Sequence, residues 1–485
     1  MKAALLLSPV LLPALLAALW RMMRLKGNAL RRGFIVSGFL CAFLSALNTL
    51  LPEAGEISLR GTDLITLSFR VDGIGKVYLM LLSVLWPGAA VYAAGYLRHD
   101  ENQGQFFFYF GLTQGVLCAL ALSGNLFTFF LFYVGMALLS APLVAHSGDK
   151  EAARASVEFT VHSLAGAFCV LIGMGVIGAL GGSGDFAAGL LTDAQWTGKE
   201  GLLLTVLFLM LLGFGAKAGL YPMHGWLPSA HPVAPAPASA VLSGVITKMG
   251  VLGVIRVLYQ TAGVNRLRGT WVQYALLILA LVTILMGSAL AFKEKKLKKR
   301  LAYSSVSQVS YVLFGLFTMT ELGFIGAMLH LVIHALIKNT LFMGAGAIIH
   351  QTGKTDVDEM DGLGRSMPWT YGCFALASLG LVGIPPTGGF ISKWDLALGA
   401  LDTGIPGSWV GPAVLLLSAV LTAGYLLTFV IRGCFSGDNE TLKGVREADV
   451  CMIGPMCVYA ALILLLGLFP GGLIGYLQGL AGTLL

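Results

Sequence analysis

Long apolar runs, separated by short polar connections, follow one another along almost the whole chain. We count about 14 such runs of the length that a helix needs to cross the hydrocarbon core of a bilayer, which is about 20 mostly apolar residues. The pattern therefore predicts an all-α integral membrane protein with about 14 transmembrane helices. The runs begin near Ala3, Gly33, Gly75, Phe106, Asn125, Val157, Gly201, Ala238, Trp271, Leu301, Leu322, Pro368, Pro412 and Val450.

Composition leads to the same class of protein. Of the 485 residues, 57% are hydrophobic and only 11% are charged, and the mean hydropathy is +0.83. Soluble domains are roughly 45–50% apolar and about 25% charged, so these few charges could not cover a water-exposed surface. This excludes a cytosolic enzyme, a disordered chain and a nucleic-acid binder, despite the net charge of +7.

The cysteines predict neither a disulfide framework nor a metal site. There are seven, they are scattered, and no CxxC pair occurs. We interpret them as buried apolar side chains. We therefore predict no iron–sulfur or haem ligation, no resident metal and no cofactor in this chain.

The basic residues predict the orientation of the chain. Lys and Arg are concentrated in the connections that follow odd-numbered runs, above all in the segment 293–300. Cytoplasmic connections carry such an excess. We therefore expect a multi-pass protein of the cell inner (plasma) membrane with both termini on the outer side, and we interpret the segment 293–300 as a cytoplasmic anchor.

Five basic residues fall inside the predicted spans: Lys217, Lys248, Arg256, Lys338 and Lys393. A charge at the membrane centre costs about 2.5–3.5 kcal/mol on insertion scales. A long side chain near a helix end avoids this cost by reaching the headgroups, and this interpretation suits Arg256. It does not suit Lys217, Lys248 or Lys338, which have apolar residues on both sides. Burial destabilises an ammonium, so such lysines are suited to proton relays within a membrane.

The histidines of one helix extend this pattern. His330, His334 and Lys338 are spaced i, i+4 and i+8, which places them on one helix face. The spacing also suits two zinc ligands, but no carboxylate or thiolate lies near them on that helix. A polar packing role is a second alternative. We favour a proton path, because imidazole titrates near neutral pH and exchanges protons at both nitrogens.

Two helices are predicted to be broken, the seventh around Pro222 and the twelfth around Pro385 and Pro386. Each break lies close to a lysine, Lys217 or Lys393. Proline interrupts a membrane helix, and the freed backbone groups are tolerated only against protein or in a wet cavity. Paired interruptions of this kind indicate a transport site built from repeats.

The spacing of the two breaks predicts the organisation of the chain. We expect one polytopic domain over 1–485, with helices one to three in 1–105 and helix fourteen in 449–476. Between them lie two five-helix repeats, 106–262 (helices four to eight) and 271–432 (helices nine to thirteen). An odd number of helices in each repeat makes the two repeats inverted.

At these residues the sequence resembles the antiporter-like subunits shared by respiratory complex I, Mrp cation/proton antiporters and membrane-bound energy-converting hydrogenases. The resemblance covers nearly the whole chain. It implies that Lys217 is the central pump lysine, that Lys248 is the connector and that Lys393 is the terminal lysine. It also implies that His330, His334 and Lys338 form a relay in the second half. The matching segments are Lys217 with 224–228, then 231–240, 243–248, 299–308, 330–338 and 383–386 with Phe390 and Lys393.

The sequence departs from the family pattern on helix five. The family has a glutamate there that pairs with the pump lysine, whereas Val134 occupies that position here. Glu158 is the nearest candidate for a replacement, although we favour an interfacial role for it in the first turn of helix six, and His162 would lengthen the path. His224 and His231 are further accessory candidates. The chain stops soon after helix fourteen, so we expect no long lateral helix like that of the largest complex I antiporter-like subunit.

The leading hypothesis is a proton-translocating subunit, with a Na⁺-linked variant left open, in a multi-subunit redox-driven or Mrp-type complex. Cofactor-bearing partners would transfer electrons, as in NADH:quinone oxidoreductases or hydrogenases. The expected partners are other antiporter-like membrane subunits, a peripheral redox module and the lipid bilayer, without nucleic acid. The alternative is a degenerate scaffold that anchors a redox module, which the Val134 substitution favours. A stand-alone transporter of a small solute is the third interpretation.

Overall fold

The protein is described by a computed structural model that covers residues 2–50, 56–60, 66–182, 184–186, 191–436, 442 and 444–485. Helices make up most of this part of the chain. The helices of the first half are α1 (Lys2–Met22), α2 (Gly27–Leu50), α3 (Gly73–Tyr96), α4 (Gln103–Ala121), α5 (Leu126–Val144), α6 (Lys150–Ala179), α7 (Asp193–Trp196), α8 (Glu200–Ala218), α9 (Trp226–Val233), α10 (Ala236–Val241), α11 (Thr247–Ile255) and α12 (Val264–Leu267).

The second half continues in the same way. Its helices are α13 (Trp271–Lys293), α14 (Leu297–Thr318), α15 (Glu321–Thr352), α16 (Pro368–Val382), α17 (Gly388–Leu401), α18 (Val410–Phe435), α19 (Val450–Leu468) and α20 (Gly471–Leu484). Short 3₁₀ turns lie between α15 and α16, at Val357–Glu359 and Leu363–Arg365.

Twelve helical segments of the described chain are long and apolar enough to cross a membrane. The two remaining predicted runs contain α14 and the interrupted pair α16 and α17. The prediction of an all-α integral membrane protein is therefore confirmed. The count of about 14 spans stays a prediction, since twelve segments meet the criteria of length and apolar character.

A small antiparallel hairpin, which the apolar pattern did not predict, precedes α3. Its strands β1 (Ile57–Arg60) and β2 (Thr66–Phe69) pair with Ile57 opposite Phe69. The start of α5 holds the hairpin: Ser68 N donates to Thr128 Oγ1 at 2.8 Å, and Asn125 Nδ2 donates to the carbonyl of Thr66 at 2.8 Å. The hairpin thus lies against one end of the helical bundle.

The segment 236–262 is the most buried helical region of the described chain. It runs through α10, the π-helical turn Leu242–Ile246, α11 and the π-helical turn Arg256–Ala262, and almost every side chain in it is buried. A π-helical turn adds one residue and leaves the usual hydrogen-bond pattern, and it is frequent at functional sites. Hydrophobic periodicity alone does not reveal so small a change.

Both predicted breaks coincide with interruptions of the helices. α8 ends before Gly219, which has a left-handed φ of 89°, and Pro222 lies between α8 and α9. α16 ends before Gly383, with φ of 91°, and the proline pair 385–386 lies between α16 and α17. Each break interrupts the fourth helix of its predicted repeat. The inverted relation of the two repeats stays a prediction.

Close packing at Gly250 brings α8 and α11 together. A Cβ atom at this glycine would lie 2.6 Å from the Phe214 carbonyl oxygen, 2.8 Å from Ala218 N and 3.0 Å from Lys217 Cβ. The neighbours are mainly backbone, which cannot rotate away. The two helices that carry Lys217 and Lys248 therefore approach each other only because residue 250 has no side chain.

We expect Gly250→Ala to destabilise the protein, because the added methyl group forces α8 and α11 apart. Overpacking of this kind costs about 1–3 kcal/mol. The measurement is the apparent melting temperature of the purified protein in detergent. The matched control is Gly372→Ala on α16, where a Cβ atom meets nothing within 4 Å. Equal melting temperatures of the two variants would contradict the proposed close approach.

Candidate functional site

Lys217 lies one residue before the end of α8, and its side chain is fully buried. Its Nζ donates a hydrogen bond to Ser163 Oγ of α6 at 2.9 Å. The same nitrogen lies 3.6 Å from the ring centroid of Phe159 and 5.0 Å from that of Trp226. One hydroxyl and two aromatic faces therefore surround the amine, and aromatic faces attract a cation.

Trp226 also caps the broken end of α8. The last carbonyls of a helix have no partner within the helix, and here the Trp226 Nε1 donates to the Ala216 carbonyl at 2.9 Å. Trp226 packs edge-on against Phe159, with ring centroids 5.0 Å apart. Because the indole supplies this cap, the Lys217 amine is not needed for it and remains directed at Ser163.

Lys248 is the second fully buried amine. It lies in the first turn of α11, and its Nζ donates to the carbonyl of Ser243 in the preceding π-helical turn. The hydroxyl of Ser243 lies 2.7 Å from that of Ser305 on α14. This places Lys248 at the junction between the first and second halves of the chain.

The predicted face of α15 lies entirely within the protein. His330, His334 and Lys338 are all buried, and the two imidazole rings stack with centroids 5.8 Å apart and planes at 16°. The Lys338 Nζ donates to the Leu301 carbonyl at 3.0 Å and to Ser304 Oγ. The spacing i, i+4, i+8 thus forms a continuous polar stripe against α14.

His334 is the least satisfied side chain of this stripe. Neither of its ring nitrogens has a hydrogen-bond partner, and His330 and Lys338 lie one helical turn away on either side of it. His330 Nδ1 is 2.9 Å from Ser392 Oγ of α17, while its Nε2 is also without a partner. A neutral imidazole offers one donor and one acceptor, so both rings have hydrogen-bonding capacity that the described protein does not use.

Lys393 lies at the second break and serves as its cap. Its Nζ donates to the carbonyls of Leu381 at 2.6 Å and Val382 at 3.0 Å, the last residues of α16. The same nitrogen lies 5.1 Å from the ring centroid of Tyr311, and that ring stacks on His330 at 5.5 Å. Lys393 therefore borders the far end of the α15 stripe.

His231 belongs to the same polar interior. It is fully buried, both of its nitrogens are without a partner, and its ring stacks on Phe342 with centroids 4.5 Å apart. Lys298, which the sequence analysis did not single out, donates to the Pro232 carbonyl at 3.2 Å and to that of Ala234. His231 thus lies close to the segment that binds the Lys298 amine.

The other accessory candidates lie together beside the first break but are only half-buried. A Cβ atom at Gly225 would be 3.5 Å from Glu158 Oε1 and 3.9 Å from His162 Nε2, and His224 is the residue before Gly225. His162 Nδ1 is 2.9 Å from the Glu158 carbonyl. Glu158 and His162 each precede a residue that contacts Lys217, and His224 lies two residues before Trp226, so the three side chains flank the Lys217 site.

No described acidic side chain replaces the glutamate that the family pattern has on helix five. Val134 is half-buried on α5, and among the ion pairs of the described residues none includes Lys217. Its neighbour Tyr133 packs edge-on against Phe214 of α8, at 5.1 Å. Lys217 is thus held by a hydroxyl and two rings, not by a carboxylate.

The expectation that Arg256 reaches the headgroups is wrong. Its side chain is fully buried and forms an ion pair with Asp72, while its Nη1 also donates to Gln260 Oε1 at 2.6 Å. Asp72 caps α3 by accepting from Gly75 N at 2.7 Å. The pairing was missed because the two residues lie far apart in the sequence, one at the N-cap of α3 and the other in the second π-helical turn.

The electrostatics of Asp72 follow from this pairing. Burial by itself would raise the pKa of the Asp72 carboxyl, but the Arg256 charge and the hydrogen bonds from Arg256 and Gly75 lower it below its usual value. The carboxylate therefore stays ionised at neutral pH and compensates the buried guanidinium.

Two polar side chains of α14 were missed by the sequence analysis. Gln308 is fully buried and neither its Nε2 nor its Oε1 has a partner, and the buried Ser310 hydroxyl is also without one. In the sequence, only the unusual density of polar residues in 304–310 could have indicated these two side chains.

No group of three or more His, Cys, Asp or Glu side chains among the described residues is placed to hold a metal ion, so the histidine pair of α15 has no third ligand there.

The fold and this interior define a polytopic membrane protein with a line of buried amines and imidazoles. Residues 123–422 match the family described as NADH:quinone oxidoreductase/Mrp antiporter, TM. The chain is 33% identical over 413 residues to NADH-quinone oxidoreductase subunit N of Desulforudis audaxviator, with 82% of this chain and 81% of the relative covered. The chain therefore belongs to this NADH:quinone oxidoreductase/Mrp antiporter family.

Other relatives come from two further kinds of complex. The chain is 31% identical over 426 residues to hydrogenase-4 component B of Escherichia coli, with 83% of this chain covered but only 62% of that longer relative. It is 28% identical over 415 residues to a subunit of the Na(+)/H(+) antiporter of Bacillus subtilis, with 84% of this chain and 82% of the relative covered.

Solved structures share the fold. A chain of the membrane-bound sulfane sulfur reductase, an archaeal respiratory membrane complex, has a TM-score of 0.85 at 26% identity and covers 98% of this chain, which covers 77% of it. A chain of the Mrp complex from Dietzia has a TM-score of 0.85 at 21% identity, with 100% of this chain and 97% of that chain covered. The latter similarity concerns the fold alone.

We expect Asp72→Asn to destabilise the protein strongly. Asparagine keeps the cap of α3 but leaves Arg256 as an uncompensated buried charge, which costs about 3–5 kcal/mol. The apparent melting temperature in detergent measures the effect. The control is Asp193→Asn, which removes an exposed ion pair with Arg266 and should change little. If both variants melted at the wild-type temperature, Arg256 would not depend on Asp72.

Proposed function

We propose that this chain is a proton-translocating membrane subunit of a multi-subunit complex, either redox-driven or of the Mrp antiporter type. Protons move along the central file, which we define as the buried residues Lys217, Lys248, Lys338, His334 and His330 together with the partly buried Lys393. The Na⁺-linked variant of this function differs only in the ion exchanged against the proton.

One observation carries the proposal: imidazole nitrogens without protein partners lie next to buried amines. Both nitrogens of His334 and of His231 are unpartnered, as is Nε2 of His330. Buried polar atoms are almost always hydrogen-bonded, to protein or to ordered water. A line of such atoms beside buried lysines is therefore suited to internal water, and water joined to imidazoles and amines conducts protons.

The geometry supports a sequence of proton transfers from one half to the other. The Lys217 amine exchanges its proton at the Ser163 end, and the close approach at Gly250 joins its helix to that of Lys248. Lys338 lies one turn from His334 on the same face of α15, so a charged Lys338 amine disfavours a proton on the imidazole. The proton therefore passes along His330 towards Lys393. When it leaves, the amines return to their initial protonation states.

The relatives support the setting of this function. Named relatives are subunits or components of an NADH-quinone oxidoreductase, a hydrogenase and a Na(+)/H(+) antiporter, and the fold occurs in multi-subunit membrane complexes. We infer that this chain assembles with other membrane subunits and that any electron transfer occurs in cofactor-bearing partners. We further propose that both termini face outwards, because the connections after odd-numbered runs carry most of the basic residues.

The scaffold alternative rests on one specific observation, the absence of an ion pair at Lys217 among the described residues. A pump lysine without a carboxylate partner lacks the anion that would control its charge. The retention of all six residues of the central file within the protein argues against this alternative, because a scaffold does not need two imidazoles and four amines in its interior.

We expect Lys217→Ala to lower proton flux at least about tenfold, since a required acid–base group typically contributes at least that much. The complex, purified with its native partner subunits, is reconstituted in vesicles, and a membrane potential is imposed with potassium and valinomycin. An internal pH dye then reports proton flux without any electron donor, and repetition with and without Na⁺ distinguishes the two ions.

The matched control is Lys354→Ala, which removes a lysine outside the spans that pairs with Glu359. It should leave the flux unchanged. An equal, substantial flux in the wild type and in the Lys217 variant would refute the role of Lys217 in the central file, and a wild-type complex without flux would support the scaffold.

A further inference from the structure

Two cavities adjoin at the beginning of α3, outside the central file. The first has a volume of about 400 Å³ and lies between α2, α3, α15, α19 and α20. Among the described residues that line it, only Thr49, Lys76 and Tyr476 have polar side chains. The second, of about 890 Å³, is lined in part by the polar side chains of Asp72 and Gln260. Lys76 and Tyr476 line both cavities, so these two residues mark the junction of an apolar and a polar compartment.

The polar residues of the apolar cavity lie where helices begin or end. Lys76 is in the first turn of α3, and Thr49 is the last residue but one of α2. The Tyr476 hydroxyl donates to the carbonyl of Gly73, the first residue of α3, at 2.9 Å. The ends of spanning helices lie at the level of the lipid headgroups, where tyrosine is enriched. The junction of the two cavities is therefore expected at the membrane–water interface.

The apolar cavity extends along α3 for most of the depth of one leaflet. It follows this helix from Lys76 through Met80 to Val84, and eight residues of a helix rise about 12 Å. One leaflet is half of a hydrocarbon core about 30 Å thick. Because Met80 is 46% exposed, the wall of the cavity reaches the outer surface of the described chain. The cavity is thus accessible to an acyl chain from the bilayer.

Lys76 is a cation that no carboxylate of the described residues compensates. None of their ion pairs includes it. Asp72 lies one turn away, but its carboxylate pairs with the buried Arg256 and accepts from Gly75 N. An anion at the junction would therefore meet the free charge of Lys76, while the negative charge of Asp72 is already compensated. Phosphate is such an anion, and a lysine amine binds it as a point charge.

We propose that the two cavities together form a phospholipid site. One acyl chain fills the apolar cavity, the Lys76 amine binds the phosphate, and the polar cavity holds the rest of the headgroup. A neutral isoprenoid such as a quinone would fill the apolar cavity but leave the Lys76 amine without an anion. The proposal is independent of the proposed function, because it concerns lipid binding and not proton transfer.

The site reaches the helix that carries the histidine pair. Val332 and Leu336 of α15 line the apolar cavity, and each lies two residues away from members of the polar stripe His330, His334 and Lys338. Two residues turn by about 200° around a helix, so the cavity borders the face of α15 opposite to the stripe. A bound acyl chain therefore packs against the back of this helix. Its removal leaves apolar volume unfilled, which destabilises the protein.

The test uses the complete complex, purified with its native partner subunits and delipidated in detergent. Phosphatidylglycerol is added back, and its binding is followed by native mass spectrometry and by the apparent melting temperature. We expect saturable binding that raises the melting temperature of the wild type. Diacylglycerol has the same chains without a phosphate and should bind at least about tenfold more weakly, because the charge-assisted hydrogen bond is lost. Inorganic phosphate alone should have no effect.

Two variants test the two cavities separately. Lys76→Gln should weaken binding at this site at least about tenfold, whereas Lys76→Arg, which keeps the charge, should bind like the wild type. Leu466→Trp narrows the apolar cavity and should abolish binding at this site while Lys76 is still present.

Each variant has a matched control that should bind like the wild type. Lys199→Gln removes an exposed lysine outside the residues that line the two cavities. Leu465→Trp enlarges a side chain that is 49% exposed at the neighbouring position of α19. Co-purification of the partner subunits verifies the assembly of every variant, and if one test variant failed to assemble, the other would decide the outcome alone.

The phospholipid site is refuted if either K76Q or L466W binds phosphatidylglycerol like the wild type, or if diacylglycerol binds as tightly as phosphatidylglycerol. A density map of the native complex that showed a helix of a partner subunit or a quinone in the apolar cavity would overturn it as well. These outcomes do not involve proton flux, so they leave the proposed function untouched.

Discussion

The structure depends on one constraint: a polar or charged side chain in an apolar interior needs a partner. Each buried cation of this protein satisfies it differently. Arg256 has the carboxylate of Asp72, Lys217 has a hydroxyl and two aromatic rings, and Lys248 uses a carbonyl within a π-helical turn. His334 has no protein partner at either nitrogen. This unequal satisfaction separates Arg256, whose charge a carboxylate compensates, from the groups for which we propose proton exchange.

The two broken helices illustrate the difference. At the first break, Trp226 caps the carbonyl of Ala216, and Lys217 is directed away from the helix end towards Ser163. At the second break, Lys393 itself caps the two last carbonyls of α16. A proton that leaves Lys393 therefore weakens the cap of a broken helix, whereas a proton that leaves Lys217 does not. Both halves contain a broken helix beside a lysine, but only Lys393 forms hydrogen bonds with the backbone at the break.

Much of this arrangement was predictable from the sequence, because a long apolar run rarely forms anything but a membrane helix. A lysine within such a run is costly, so it indicates a functional role. The breaks at Pro222 and at Pro385 and Pro386 followed from the same local chemistry. What local patterns could not predict were contacts between distant segments. Asp72 is the N-cap of α3 and Arg256 begins a π-helical turn. Their ion pair is not visible in the sequence, so the interpretation that Arg256 reaches the headgroups was wrong. A hydroxyl cluster of Ser288, Ser307 and Ser418 joins three helices, and serine in a single helix carries no sign of such a partner.

The central claim is that internal water joins the buried amines and imidazoles into one file. A high-resolution density map of the native complex in lipid tests it most directly. Our account predicts ordered water molecules within hydrogen-bond distance of both nitrogens of His334 and of His231, continuous with water beside Lys248 and Lys393. Contact of those nitrogens with closely packed hydrocarbon alone, with no water density between them and the lysines, would contradict the account.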